Sequence, residues 1–370
     1  VKIFLRENVY EAALARMRWL FDEFEHVHVN FSGGKDSTVL LNLAMQVAAE
    51  RGRLPLPVTF IDQEAEWDCV IDYVRAVMAD PRVAPRWYQV PIKLFNATSA
   101  REPWLYCWQE GAPWIRAKEP TSIQANVYGT DRFTALFEAI FAHDYPTTPA
   151  VYLAGVRCEE SPGRFQGLTS YETYGGVTWG RVSSKARGHY TFYPLYDWSY
   201  LDIWKAIHDH RWAYCRLYDL MYQYGIPTRE MRVSNVHHET AVRTLYFLQE
   251  VEPETWDRVT ARLAGVQTAG ILGRAWQGPK ELPPMFADWR EYRDYLVEHL
   301  IVDPAHQAWY RKHFAQQQEL FIDAVQAELI RMEIAMLLVN DHHGTKTANF
   351  HASHGYAFKN RGRISGRRSA

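Results

Sequence analysis

The stretch VHVNFSGGKDSTVLL, residues 27–41, decides the reading of the whole chain. A short alternating apolar run suits a strand, and STVLLNLAMQVAAERG, residues 37–52, has the apolar spacing of a helix that stops at Gly52. Between them lie Ser32, Gly33, Gly34, Lys35, Asp36 and Ser37. Glycines let another group approach the backbone closely, and a helix N-terminus offers N–H groups and the positive end of its dipole. The pattern predicts an anion cradle, with Ser32 and Ser37 adding hydroxyls and Lys35 adding charge. It is not a Walker A loop, because position 29 is Val and Asp36, not Ser or Thr, follows the lysine. Nor is it a dinucleotide fingerprint.

Working outward, strands alternate with helices. Val9, Ala13, Leu14, Met17, Leu20, Phe21 and Phe24 predict a packed helix over 8–24. LPVTFID at 56–62, RWYQVPI at 86–92 and AVYLAGVR at 150–157 read as further strands. CVIDYVRAVMA at 69–79 and TDRFTALFEAIFAHD at 130–144 read as helices, the second with Thr130 or Asp131 near its cap. The expected fold is α/β, a doubly wound, mostly parallel sheet. After residue 210 the strand signal fades, and residues 231–340 read as a helical C-terminal appendage to a domain spanning 1–230. Residues 341–370 are basic and lack apolar periodicity, which predicts a flexible arm.

Composition narrows the classes. The 370 residues carry a formal net charge of −2, which argues against wholesale coating of nucleic acid but permits a local basic patch. The four cysteines, Cys69, Cys107, Cys158 and Cys215, form no CxxC pair and suggest neither a zinc site nor a disulfide framework. Such usage fits a reducing compartment. No apolar run is long enough to span a bilayer. The expectation is a cytoplasmic protein without membrane contact. The histidine pairs His237–His238, His342–His343 and His351/His354 lack cysteine or acidic partners at zinc spacing.

SGGKDS at 32–37 resembles the pyrophosphate loop of the N-type ATP pyrophosphatases, the superfamily that includes PAPS reductases, ATP sulfurylase small subunits and tRNA thiolation enzymes. AGVRCEESPGR at 154–164 resembles the PAPS reductase segment GxRxxES…R, with Gly155, Arg157, Glu160, Ser161 and Arg164 at the matching positions. YPLYDWSYLDIW at 193–204 is a third match, in which Trp198, Asp202 and Trp204 read as structural and Ser199 as a helix cap. The layout is similar to a branch with an extra C-terminal region. That branch includes the immunoglobulin-binding regulator A proteins and the ATP pyrophosphatase component of bacterial single-strand DNA phosphorothioation. NVYEAALARMRWLFDEF, FIDQEAEWD, LYDLMYQYGIP and EPETWDRVTARLAGV look like it.

The resemblance implies an adenine nucleotide alpha hydrolase-like fold that binds ATP with Mg²⁺ and cleaves between the α- and β-phosphates. The thiol chemistry of PAPS reduction is disfavoured: the C-terminal ECGLH run of those enzymes is missing, and the last cysteine is Cys215. What remains is ATP pyrophosphatase activity that activates a nucleic-acid phosphate for sulfur incorporation. The implied partners are single-stranded DNA, a cysteine desulfurase or other sulfur donor, and other modification-complex proteins. A sulfonucleotide enzyme with an external thiol donor and a nucleotide-binding co-regulator without turnover are the alternatives.

In this reading Lys35, Arg157 and Arg164 hold phosphate, guanidinium forks being suited to it. Asp36 either holds a metal-bound water or caps the helix. Asp62, Gln63 and Glu64 follow the second strand, at the sheet edge where α/β proteins bind ligands, and bind ribose, adenine or metal unless they form a solvated loop. Cys158 is the candidate thiolate, its pKa lowered by neighbouring positive charge, unless it is a small buried residue. Cys107 is the second choice. The insertion at 99–122 interleaves Arg101, Trp104, Trp108, Trp114, Arg116 and Lys118, either as a platform for single-stranded nucleic acid or as a lid packed on the domain. Lys346, Lys359, Arg361, Arg363, Arg367 and Arg368 of the tail either contact phosphates or are solvated.

Overall fold

The computed structural model describes residues 5–99, 102, 104–238, 241, 245–267, 269, 281–338, 341 and 344–359. Arg101, His342, His343, Arg361, Arg363, Arg367 and Arg368 lie outside them.

The chain opens with α1 (Val9–Glu23), capped by the Asn8 side chain, which accepts a hydrogen bond from Glu11 N. Strand β1 (His26–Asn30) leads through the glycine loop into α2 (Lys35–Glu50). Then come β2 (Leu56–Ile61), α3 (Asp68–Met78) and β3 (Val83–Tyr88). A two-stranded ribbon, β4 (Ile92–Phe95) and β5 (Trp104–Cys107), precedes α4 (Phe133–Asp144) and β6 (Ala150–Leu153). Helix α5 (Pro162–Thr169), the hairpin β7 (Gly180–Ser184) and β8 (His189–Phe192), α6 (Tyr200–His210) and α7 (Leu217–Gln223) follow.

The main sheet has the order β3-β2-β1-β6-β8-β7. Neighbours are parallel except for β7, which runs antiparallel to β8. The chain therefore builds outward from β1 in one direction and from β6 in the other. The crevice where the order reverses lies between the carboxyl ends of these two strands, the usual ligand position in such sheets. Their register, His26↔Ala150 through Val29↔Leu153, sets the two following loops side by side.

Strands β3, β7 and β8 differ from the sequence expectation for identifiable reasons. β3 begins three residues earlier than expected and includes Pro85. It is an edge strand, where a residue without an N–H is tolerated. The hairpin β7–β8 has no expected counterpart, because its four- and five-residue strands carry Gly, Ser, His and Thr in place of an apolar run. Burial of His189 is supported by a contact with Glu138, Nδ1 to Oε1 at 3.1 Å. Ser199 does cap α6: its hydroxyl accepts from Asp202 N, and Asp202 returns the bond to Ser199 N.

The chain divides into two compact units, neither of them contiguous. The first comprises residues 1–94, 106–236 and 251–258, and holds the sheet; the second comprises 95–105, 237–250 and 259–370. In the second, helices Trp289–His299, Pro304–Leu320 and Gln326–Leu338 enclose a core that includes Leu296, Tyr310, Phe314, Ile334 and Leu337. Residues expected to begin a flexible arm instead form a helix, Thr345–His354. Phe350 is the reason: it packs with Phe321, Val325, Leu329 and Ala357, and one buried aromatic anchors a helix whose composition is otherwise polar. No helix among the described residues is long and apolar enough to cross a membrane.

Leu43 sits mid-way along α2 with no exposed surface. Leu43→Ala is expected to cost about 2–5 kcal/mol in the first unit, measured by chemical denaturation.

Candidate functional site

The loop after β1 is shaped by its backbone. Gly33 has φ +73°, the left-handed region that favours glycine, and a Cβ there would lie 2.9 Å from Val70 Cγ1. Gly34 is the N-cap of α2 and supplies no side chain to the first turn. The hydroxyls knit the loop: Ser32 N donates to Ser37 Oγ at 3.2 Å, and Ser37 Oγ donates to Gly34 O at 2.9 Å. Lys35 N donates to Tyr218 Oη at 2.8 Å. Tyr218, from α7, is buried and also packs edge-on against Trp204. It is a loop partner that residue patterns did not single out, because its contact crosses 183 positions of sequence.

The charges of this cradle are already engaged with one another. Lys35 is 5% exposed, and its Nζ lies 3.1 Å from Asp36 Oδ2 and 3.3 Å from Met231 O. Arg157, equally buried, gives Nε to Asp36 Oδ1 and Nη1 to Trp198 O at 3.4 Å. Asp36 thus neither caps α2 nor presents a free carboxylate; it bridges the two cations expected to hold phosphate. Among the described residues no group of three or more His, Cys, Asp or Glu is placed to hold a metal ion.

The segment after β6 supplies Arg157, and its neighbours hold it in place. Gly155 passes so close to α2 that a Cβ would lie 2.9 Å from Asp36 C and 3.0 Å from Ser37 N. Glu160 Oε1 accepts from Arg157 N at 2.8 Å, and its other oxygen takes Arg164 Nη1. Ser161 is the N-cap of α5, accepting from Arg164 N at 3.2 Å. Within the GxRxxES…R match, then, Arg157 enters the cradle, Gly155 permits the approach, and Glu160 and Ser161 organise the turn. Arg164 stands outside, half-exposed and paired.

Cys158 departs from the expected thiolate. Burial, with Asp197 nearby, pushes its pKa up to about 11. The guanidinium of Arg157 points to Asp36 and gives it no help. Cys107 is buried, and its Sγ donates to Gln63 O at 3.0 Å. Cys69 and Cys215 contact each other: Cys215 Sγ lies 3.7 Å from Cys69 O, and the side-chain hydrogen bond with Cys215 first, then burial, raise the Cys69 pKa.

At the carboxyl end of β2 the structure holds a buried polar cluster, not a solvated loop. Asp62 has no exposed surface and accepts from Trp87 Nε1 at 2.8 Å, Gln89 Nε2 at 3.0 Å, Glu64 N at 2.9 Å and Arg116 Nη2. Its oxygens are committed within the protein, which leaves none for ribose. Glu64 accepts from Trp108 N at 2.7 Å. Trp108 itself is fully buried, its Nε1 donating to Asp62 O at 2.8 Å, with the Arg116 guanidinium 5.0 Å over its ring. Of the two readings of the insertion, Trp108 takes that of a lid packed on the domain, with Lys118 resting over Trp114.

Glu66 belongs to the same cluster. Burial first, then the Asp62 charge, raise its pKa from 4.5 to about 8, against the opposing pull of Arg116. A carboxyl whose folded pKa is raised binds more protons folded than unfolded, so its contribution is present at low pH and is lost as pH rises from about 4.5 through about 8. Stability of the first unit should therefore fall across this window, on the order of a few kcal/mol. Glu66→Gln should flatten that decline in thermal melts; parallel wild-type and variant profiles would show that Glu66 titrates normally.

Comparison with known proteins places this site in a family. Residues 26–224 match the model of the phosphoadenosine phosphosulfate reductase domain, and residues 225–348 match a domain of unknown function (DUF3440). The chain is 31% identical over 308 residues to the uncharacterized protein YbdN of Escherichia coli (strain K12), covering 79% of this chain and 75% of that one. Among solved structures, a Candida glabrata FMN adenylyltransferase in complex with FAD and inorganic pyrophosphate aligns with TM-score 0.36 and 14% identity, over 59% of this chain and 63% of that chain. A Candida auris phosphoadenylyl-sulfate reductase aligns with TM-score 0.32 and 12% identity, over 59% and 93%. With a family match across more than half its length, and with the Gly155–Arg157 segment seated against the loop at 32–37, the chain belongs to the phosphoadenosine phosphosulfate reductase domain family and carries a C-terminal DUF3440 region.

Proposed function

We propose that this protein is an ATP pyrophosphatase that activates a nucleic-acid phosphate for sulfur incorporation, DNA phosphorothioation being the specific case. The observation that carries the proposal is the cradle itself. A helix N-terminus with no side-chain cap, two buried cations and two hydroxyl-bearing residues converge at the β1/β6 switch point. ATP enters as its magnesium complex and lays its β- and γ-phosphates on the loop at 32–37. Phosphate then competes with Asp36 for Lys35 and Arg157, and both cations turn to the charge that develops on the departing pyrophosphate.

The chemistry balances in two steps. A phosphodiester oxygen of the acceptor attacks the α-phosphorus of ATP; the bond to the β-phosphate oxygen breaks and pyrophosphate leaves. A persulfide on a donor protein such as a cysteine desulfurase is reduced by an external dithiol, which becomes a disulfide, and the hydrosulfide released attacks the acceptor phosphorus. AMP leaves, and the sulfide proton passes to solvent. The raised thiol pKa of Cys158 favours delivery of sulfur from outside this chain.

Family membership favours one competing reading, in which a sulfonucleotide occupies the same cradle and an external thiol reduces it. A co-regulator that binds nucleotide without turnover is the third reading. Purified protein with ATP and Mg²⁺ is expected to release AMP and pyrophosphate, and Lys35→Ala to lower that rate about 10²–10³-fold. Release of ADP and phosphate would overturn the reaction assignment, sulfite release from PAPS would select the sulfonucleotide reading, and tight ATP binding without AMP would select the co-regulator. For the acceptor, sulfur-containing dinucleotides are expected by mass spectrometry in nuclease digests of the parent strain's DNA and not after deletion of the gene. Their persistence after deletion would remove DNA as the substrate.

A further inference from the structure

A second concavity lies on the β6–β8–β7 side of the sheet, next to the residue that precedes Arg157. It encloses about 360 Å³, within the range of about 300–1,000 Å³ common for small-molecule sites. Its wall includes Val156, Arg164, Tyr171, Glu172, Arg181 and Tyr193. None of the nucleotide chemistry above uses it, apart from the sequence expectation for Arg164.

The wall has two kinds of group that belong together in only a few ligands. One is cationic. Arg181 stands on β7, the edge strand, and has no carboxylate partner among the described residues. Arg164 is beside it across the Tyr193 hydroxyl, which feels the charge of both, and is itself paired with Glu160. Glu172 is the one carboxylate on the wall, and with Arg164 paired to Glu160 the guanidinium left for an anion is that of Arg181. The other kind is aromatic. Tyr171 is 59% exposed, and the ring of Tyr193 lines the same wall. Exposed rings of this size cost solvation unless something stacks on them. Rings beside an unpaired guanidinium match a planar base joined to a phosphate. The volume admits one such unit and excludes a base pair.

We infer that this cavity is the acceptor site: it takes one nucleotide unit of a single-stranded polynucleotide, the base stacked on Tyr171 and the adjoining phosphate on Arg181. The inference rests on the nucleic-acid reading above and adds where the strand lies. Val156, on the cavity wall, immediately precedes Arg157 of the cradle. Arg181 and Tyr171 act as positioning residues.

The test is direct binding of a fluorescently labelled oligothymidylate of eight residues, without turnover, to the full chain at 50–200 mM salt. Both side chains are exposed, so Arg181→Ala and Tyr171→Ala are expected to fold as the wild type does. Arg181→Ala should weaken the oligonucleotide about tenfold and reduce the salt slope by about one. Tyr171→Ala should weaken it several-fold with the slope unchanged. Arg181→Lys should restore the slope but not the full affinity. ATP affinity should stay within twofold in all three. The inference is overturned by unchanged oligonucleotide affinity in both alanine variants, by a parallel loss of ATP affinity, or by equal binding of the same sequence as a duplex. Because no product is measured, absence of AMP formation would sink the proposed activity while leaving this result readable.

Discussion

One carboxylate holds the candidate site together. Asp36, the second residue of α2, takes Lys35 on one oxygen and Arg157 on the other. The first partner comes from its own loop and the second from the strand across the switch point. Two loops separated by 121 positions are thereby locked to each other through charge-assisted hydrogen bonds in a poorly solvated place. Removing Asp36 would take this carboxylate from both buried cations at once, which costs more than the pairs contribute. Gly155 belongs to the same constraint, since a side chain there would part the loops by occupying the backbone of Asp36 and Ser37.

This arrangement explains how a strongly cationic cradle coexists with a near-neutral protein. Lys35 and Arg157 are buried and would be expensive to leave bare. Asp36 gives one oxygen to each of them, and in the proposed function phosphate, with more charge and more oxygens, takes its place. Tyr218 has a complementary task. It satisfies Lys35 N, one of the N–H groups that the first turn of α2 leaves without a helical partner. The polar cluster at the end of β2 does something different. Asp62 accepts from Trp87, Gln89 and Arg116, and Glu64 accepts from Trp108 N, while Arg116 Nε and Nη1 find no hydrogen-bond partner among the described residues.

Much of the first unit was legible in the residues. The strand–SGGKDS–helix pattern, Gly52 as a helix stop, Ser199 as a cap and the alternation of β and α all appear where periodicity and end signals place them. The misreadings have physical causes. Pro85 is compatible with β3 only because β3 is an edge, and edge position is a property of the sheet. The β7–β8 hairpin has no apolar alternation, since its stability comes from neighbours such as Glu138 and from aromatic packing of Phe192 with Trp19 and Trp179. The helix at Thr345–His354 depends on a pocket for Phe350 that local composition does not reveal.

By itself the sequence determined the residue types at each loop: a bare, basic turn before a helix and an arginine segment after a later strand. Those follow from short-range rules, because caps, turns and periodicity act over a few residues. Only the tertiary structure decided what those groups do to one another. It put Arg157 on Asp36, turned Cys158 away from positive charge, sealed Asp62 among indoles and set Arg181, without a carboxylate partner among the described residues, beside a cavity. Ion pairing, desolvation and cavities depend on distances between segments far apart in the chain, and those distances exist only once the sheet has brought its strands into order.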